Sequence, residues 1–221
     1  MKVLVIASHP DDEVLGVGGT VFDLAEKGAK IYFLIMTRGM GEIHGKKKVE
    51  MLREEAREVH KFLPSTETTF LDFPSLNMDT VPKRDINRSI EEVVQKVRPE
   101  IVFTHFMNDF NNDHQIVSAA TMVAVRPYVA PFIRKVYGYE VMSSTEWNCN
   151  SPNNMFIALC FNDISKHLDK KLQALKMYKS QQKEYPHTRS VKSVANHASQ
   201  RGNIVGFEAA ECFYPIRLKE I

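Results

Sequence analysis

Four short aliphatic runs, each followed by a segment of helical period, constrain the architecture of the first 125 residues. Val3 to Ala7 precedes a helix expected over Val14 to Lys27, which Gly28 ends. Ile31 to Met36 precedes a charged helix over Lys46 to Leu63, with Met51, Leu52, Ala56 and Val59 on one side. Thr68 to Leu71 precedes a helix over Asp85 to Val97 that stops before Pro99, and Ile101 to Thr104 precedes one over His114 to Val125. Strands alternating with helices predict an α/β fold: a mostly parallel, Rossmann-like sheet with helices on both faces.

Beyond Pro127 the pattern is less regular. Lys135 to Val141, Met155 to Cys160 and Ala209 to Arg217 read as further strands, and Ile164 to Tyr178 as an amphipathic helix. With 221 residues, 43% hydrophobic content and no composition break, one domain spanning 1–221 is expected. The 29 basic and 27 acidic residues leave a formal charge of +2, so no global field favours nucleic acid or an anionic membrane. Cys149, Cys160 and Cys212 are odd in number and lack C-x-x-C spacing, which fits neither a disulfide framework nor a cysteine zinc site. Cys160 and Cys212 read as buried structural thiols. A cytoplasmic protein without stable membrane insertion or an export signal is expected.

Ligands of open parallel sheets sit beyond the carboxyl ends of the strands. Three polar clusters fall there: His9 to Glu13, Thr37 to Glu42, and His105 to His114. The first packs His9, Asp11, Asp12 and Glu13 into five positions after a hydrophobic strand, where unpaired carboxylates would be costly. The second chemical cluster, THFMNDFNNDHQIV, adds His105, Asp109, Asn111, Asp113 and His114. Two imidazoles and a carboxylate on rigid strand ends suit a catalytic divalent metal with an open position. The competing reading makes the aspartates of HPDD helix caps.

The strings ASHPDDEVLGVGGT, LREEA at Leu52 to Ala56, and the Asp113-His114 pair after PEIVFTH resemble the PIG-L, or LmbE-like, family of metal-dependent N-deacetylases. SSTEW at Ser143 to Trp147 and RGNIVGFEAAECF at Arg201 to Phe213 resemble one branch of it. The resemblance implies His9, Asp12 and His114 as metal ligands, Asp11 as general base, and Arg53 as a substrate-binding arginine, a surface ion pair being the alternative for Arg53. Asp113 is expected near the ligand histidine as a carboxylate orienting its imidazole or as a helix cap, with Asp109 similar. Where many family members carry a histidine, this chain has Asn111, expected to donate a hydrogen bond to substrate but unable to shuttle a proton. Either Asp11 returns the proton to the leaving nitrogen itself or another group does, with His105, His187 and His197 as candidates and structural histidines as the default. Gly16, Gly18 and Gly19 do not match G-x-G-x-x-G and read as close helix packing. Arg189, Lys192 and Arg201 read as a solvated basic face, or else a lid over a substrate phosphate.

The implied function is hydrolysis of the acetamide of an N-acetylglucosamine-type sugar conjugate, with Zn2+ the expected ion and Fe2+ compatible with the same ligands. An amidase acting on a thiol conjugate and a non-catalytic nucleotide- or sugar-binding module are the alternatives. The partner is a small-molecule conjugate, and the family resemblance makes a homo-oligomer a candidate assembly.

Overall fold

The computed structural model describes residues 1–38, 45–148 and 152–219. The strands are β1 (Lys2–Ala7), β2 (Lys30–Thr37), β3 (Ser65–Phe73), β4 (Ile101–His105), β5 (Lys135–Tyr139), β6 (Cys160–Asp163) and β7 (Ala210–Leu218). The helices, numbered in chain order, are α1 (Asp12–Glu26), α2 (Lys46–Phe62), α3 (Lys83–Val97), α4 (Asn112–Ala124), α5 (Leu168–Met177) and α6 (Val191–Val205). One seven-stranded sheet runs β3-β2-β1-β4-β5-β7-β6. The first five are parallel, and β7 is antiparallel to both β5 and β6.

Strand β1 is buried on both faces, which is why it reads as an unbroken aliphatic run. Val3 and Val5 belong to a core that includes Val14 and Val17 of α1, Leu52 and Val59 of α2, Leu175 of α5 and Val194 of α6. Leu4 and Ile6 point the other way, into a core with Ile86, Ile90 and Val94 of α3 and Val117 and Ala120 of α4. The chain leaves β1 toward β2 on one side and later returns to β4 on the other. A crevice therefore opens between the carboxyl ends of β1 and β4, the topological switch point where such sheets bind ligands.

The glycines of α1 serve packing. A Cβ on Gly16 would lie 2.2 Å from the Tyr139 ring, and one on Gly19 would lie 2.7 Å from Ile164. That closeness also lets Glu211 of β7 reach α1, where it accepts hydrogen bonds from the Gly19 and Thr20 N–H groups. Lys171 of α5 completes the buried cluster, donating to Glu211 and to the Leu15 carbonyl.

The C-terminal third departs from the sequence expectations. The strand expected over Met155 to Cys160 begins instead at Cys160. Leu159 donates to the Phe213 carbonyl, but the next β7 position facing the same way is Pro215, which has no N–H to extend the ladder. Met155, Ile157 and Leu159 are consequently exposed. Helix α6 was not anticipated, because its buried face is a run of small or short residues, Val194, Ala198 and Gly202. Gly202 packs so closely that a Cβ would lie 2.7 Å from the Phe207 carbonyl oxygen. Cys212 is buried as expected, Cys160 is half-buried, and both are free thiols. Cys149 lies outside the described residues. Among those residues, no helix is long and apolar enough to cross a membrane.

Candidate metal centre and catalytic cavity

The turn after β1 is set by Asp11, whose φ of 101° places a non-glycine residue in a disfavoured region. Asp11 precedes α1 but its side chain caps nothing, and the Asp12 carboxylate turns back to accept the His9 N–H at 2.8 Å. The capping reading of HPDD thus fails on geometry. Glu13 anchors the turn instead: its Oε2 accepts the Asp11 N–H, its Oε1 accepts the Tyr178 hydroxyl at 2.5 Å, and it is fully buried. His114 sits in the first turn of α4, capped by Asn111, whose Oδ1 accepts the Asp113 N–H at 2.9 Å.

His9 Nδ1, Asp12 Oδ2 and His114 Nε2 form a triangle with all three sides 3.2 Å. Ligand bonds of about 2.0–2.1 Å in a tetrahedral site give edges of about 3.3 Å, so the triangle has the size of one face of such a site. The remaining ring nitrogens fix the tautomers. His9 Nε2 lies 2.9 Å from Asp113 Oδ2, and His114 Nδ1 lies 3.1 Å from Asp109 Oδ1. Each carboxylate takes an imidazole N–H, leaving the other nitrogen's lone pair aimed into the triangle. Two lone pairs and a carboxylate oxygen converging at this distance repel one another unless a cation joins them. The donor set therefore fits a divalent metal.

Counting the protein's own charges alone, the centre binds protons in place of that cation. Burial works to lower the His9 pKa, but the hydrogen bonds to Asp113 and Asp12 prevail and push it up to about 9. His114 is likewise opposed by burial and pushed up to about 10 by Asp12 and Asp109. Burial would raise Asp12, yet His114 and His9 hold it well below the usual carboxylate range. Asp11 differs, because burial dominates and pushes it up to about 7, against the lowering influence of Arg189.

The orienting carboxylates are themselves held. Asp109 is fully buried and accepts hydrogen bonds from Ser144 and Thr145, while Asp113 accepts the Leu76 N–H at 2.7 Å. Asp113 thus serves His9, and its sequence neighbour His114 is served by Asp109. Ser144 and Thr145 were not singled out in the sequence, although the SSTEW string contains them.

A cavity of about 480 Å³ opens over the triangle, and His9, Asp11, Asp12, Asn111 and His114 all line it. Arg53 does not. It lies in the wall of an adjoining hollow, where its Nη2 donates to the Leu71 carbonyl and to Asp72, and its guanidinium covers Phe70. His105 lies directly behind the centre, stacked on His114 at 3.9 Å, and accepts the Ser8 N–H. Burial keeps it neutral, well below its ordinary pKa. His187 is exposed and His197 pairs with Glu140, so none of the three candidate histidines lines the cavity.

The basic stretch near the C-terminus divides. Lys192 covers Tyr185, Arg201 pairs with Glu140, and Arg189 enters the cavity with its Nη1 3.3 Å from Asp11 Oδ2. Nothing local in the sequence links positions 11 and 189. Thr37 is buried at the end of β2, whereas Gly39 to Glu42 of its polar cluster lie outside the described residues.

Comparison with known proteins agrees with this architecture. The conserved protein TT1542 from Thermus thermophilus superposes with a TM-score of 0.78 at 26% identity, over 99% of this chain and 96% of that one. The uncharacterized deacetylase YaiS of Escherichia coli is 30% identical over 184 residues, covering 80% of this chain and 90% of that protein. A probable N-acetyl-alpha-D-glucosaminyl L-malate deacetylase 2 of Bacillus cereus is 24% identical over 188 residues, or 81% and 83% of the two chains. The family model for GlcNAc-PI de-N-acetylase matches residues 4–125, the stretch from β1 to the end of α4 that carries the triangle, and the chain belongs to that PIG-L family.

Proposed function

We propose that the protein is a metal-dependent N-deacetylase that hydrolyses the acetamide of an N-acetylglucosamine-type conjugate to acetate and a free amine. The triangle of His9, Asp12 and His114, with a lone pair from each pointing inward, carries this reading. Zinc is the expected ion, and ferrous iron suits the same donors. A divalent ion bound there supplies Lewis acidity toward the acetamide carbonyl and lowers the pKa of water.

The protein's own part centres on Asp11. It adjoins a ligand without belonging to the triangle, and its pKa of about 7 suits a group that must gain and lose a proton near neutrality. Its carboxylate takes a proton from the attacking water as the new C–O bond forms. No candidate histidine lines the cavity, so Asp11 also delivers that proton to the leaving nitrogen as the C–N bond breaks. Asn111 spends its Oδ1 on the α4 cap, which leaves its amide N–H groups for the substrate. Arg53 acts from the adjoining hollow, on parts of the conjugate beyond the acetamido sugar. Asp109 and Asp113 hold the two imidazoles in the tautomers the ion requires.

The test is quantitation of acetate and free amine from N-acetylglucosamine and its methyl glycoside, using protein whose bound metal has been assayed. Equal yields of both products, lost in His114→Ala, are expected. Stoichiometric metal without release from any N-acetylated sugar would leave a metal site with a different reaction.

A further inference from the structure

A buried polar chain beside the triangle takes no direct part in the hydrolysis. Glu13 is fully buried, and among the described residues neither lysine nor arginine pairs with it. A carboxyl group so placed is costly unless hydrogen bonds replace its hydration. Both its oxygens are taken: Oε2 accepts the Asp11 N–H at 3.1 Å, and Oε1 accepts the Tyr178 hydroxyl at 2.5 Å. His60 closes another side, its Nε2 3.4 Å from Oε1 and its ring nearly perpendicular to those of Phe33 and Phe70. Burial and the neighbouring Glu13 hold the Tyr178 hydroxyl well above its ordinary pKa, so it stays a donor.

One end of this chain is the residue that most needs holding. Asp11 sits at φ 101°, disfavoured for a residue with a side chain, and persists there only where its surroundings over-determine it. The other end is Tyr178, which closes α5 and begins the strap leading to α6. That strap is pinned at its root, where Gln182 Nε2 donates to the Leu175 carbonyl at 2.6 Å, and to α2, where the Ser180 hydroxyl donates to Glu55. It meets Asp11 twice. Tyr178 reaches the Asp11 N–H through Glu13, and Arg189 stands 3.3 Å from the Asp11 carboxylate.

A base is effective only where its carboxylate faces the attacking water, and a displacement of about 1 Å can cost about a hundredfold in rate. We infer that Tyr178 is a positioning residue for Asp11: acting through Glu13, it fixes the main chain from which the carboxylate projects, so the strap that brings Arg189 also aims the base. This rests on the deacetylase reading for what Asp11 does and adds what holds it there. The triangle is held separately, His9 by Asp113, His114 by Asp109 and Asp12 by the His9 N–H. Loss of the Tyr178 hydroxyl should therefore reach the base and spare the ion.

The experiment is a double-substitution cycle on the metal-loaded protein, with Tyr178→Phe made alone and together with Asp11→Asn. Phenylalanine keeps the ring in the core it shares with Val17 and Leu175, so the fold should hold. For methyl N-acetylglucosaminide, kcat should fall about 10–100-fold when Asp11 is present and less than about twofold when it is Asn, with metal content unchanged in all four proteins. Equal losses in both backgrounds, no loss in either, or metal lost in step with kcat overturns the inference. Hydrogen exchange at the Asp11 amide gives a readout independent of turnover. Tyr178→Phe should speed it about tenfold or more while the β1 amides keep their protection. Unchanged exchange at Asp11 overturns the inference even where the rate falls. If the unsubstituted protein releases no acetate, the deacetylase reading fails and the Asp11 amide alone decides the positioning.

Discussion

The parallel half of the molecule and its antiparallel end contribute differently to the cavity. The first supplies the floor: His9 and Asp12 after β1 and His114 after β4 meet where two neighbouring parallel strands end, held by short turns and a capped helix. The second supplies part of the wall, beside the part that α2 and the segment after β3 contribute from the parallel half. The strap between α5 and α6 brings Arg189 to Asp11 across 178 positions, from 11 to 189, and the segment after β5 brings Ser144 and Thr145 to Asp109. The floor holds the triangle, whereas the C-terminal wall brings a cation to Asp11 and hydroxyl groups to Asp109. Breaking the two parts should therefore produce different kinds of defect.

The largest effect is expected at the floor. His114→Ala removes one vertex of the triangle and should abolish stoichiometric metal binding, lowering kcat/KM at least about a thousandfold, as metal analysis and acetate assays on the same sample would show. Asp11→Asn should behave differently, keeping the metal while kcat falls about 10²–10⁴-fold, because the ligands stay and the proton acceptor goes. Full activity in Asp11→Asn would remove Asp11 from the mechanism. Asp109→Asn and Asp113→Asn should each weaken metal affinity about 10–100-fold, measured by competition with a chromogenic chelator. Each substitution frees one imidazole to rotate or change tautomer.

The smallest effect belongs to the wall and is read in pH. Asp11 must be ionised to accept a proton, so kcat/KM should rise with pH along a limb at or below about 7. Arg189 favours the ionised form, and its removal favours the protonated one. Arg189→Met should therefore move that limb to higher pH while metal content stays at one equivalent. An unmoved limb would mean that Arg189 does not act on Asp11.

The same division explains what the sequence revealed. Parallel strands buried on both faces advertise themselves as aliphatic runs, and the polar residues that interrupt them, HPDD and NNDH, stand out against that background. The floor could be read for this reason, down to the residues that converge. Asp113 was expected beside a ligand imidazole, but which imidazole it serves depends on the approach of two loops, and it proved to be His9 rather than His114. The walls were obscure for a physical reason. Arg189 sits in a charged stretch indistinguishable from a solvated face, and helix α6 buries alanine and glycine rather than a stripe of large apolar residues. Pro215 shortens β6 through a missing N–H on a neighbouring strand, which no pattern within Met155 to Cys160 reports. Asn111 was legible as a departure from the family histidine, and its use as the α4 cap follows from a preference any sequence shows.

The central claim is that a divalent ion held by His9, Asp12 and His114 is required to release acetate. Its most direct test is to strip the protein with a chelator, confirm by circular dichroism that it remains folded, and titrate Zn2+ or Fe2+ back while following acetate release from an N-acetylglucosamine glycoside. Activity should vanish on stripping and return linearly to a break at one equivalent of metal. Acetate release that persists in the stripped protein, or a protein that takes up no metal at this site, would contradict the account.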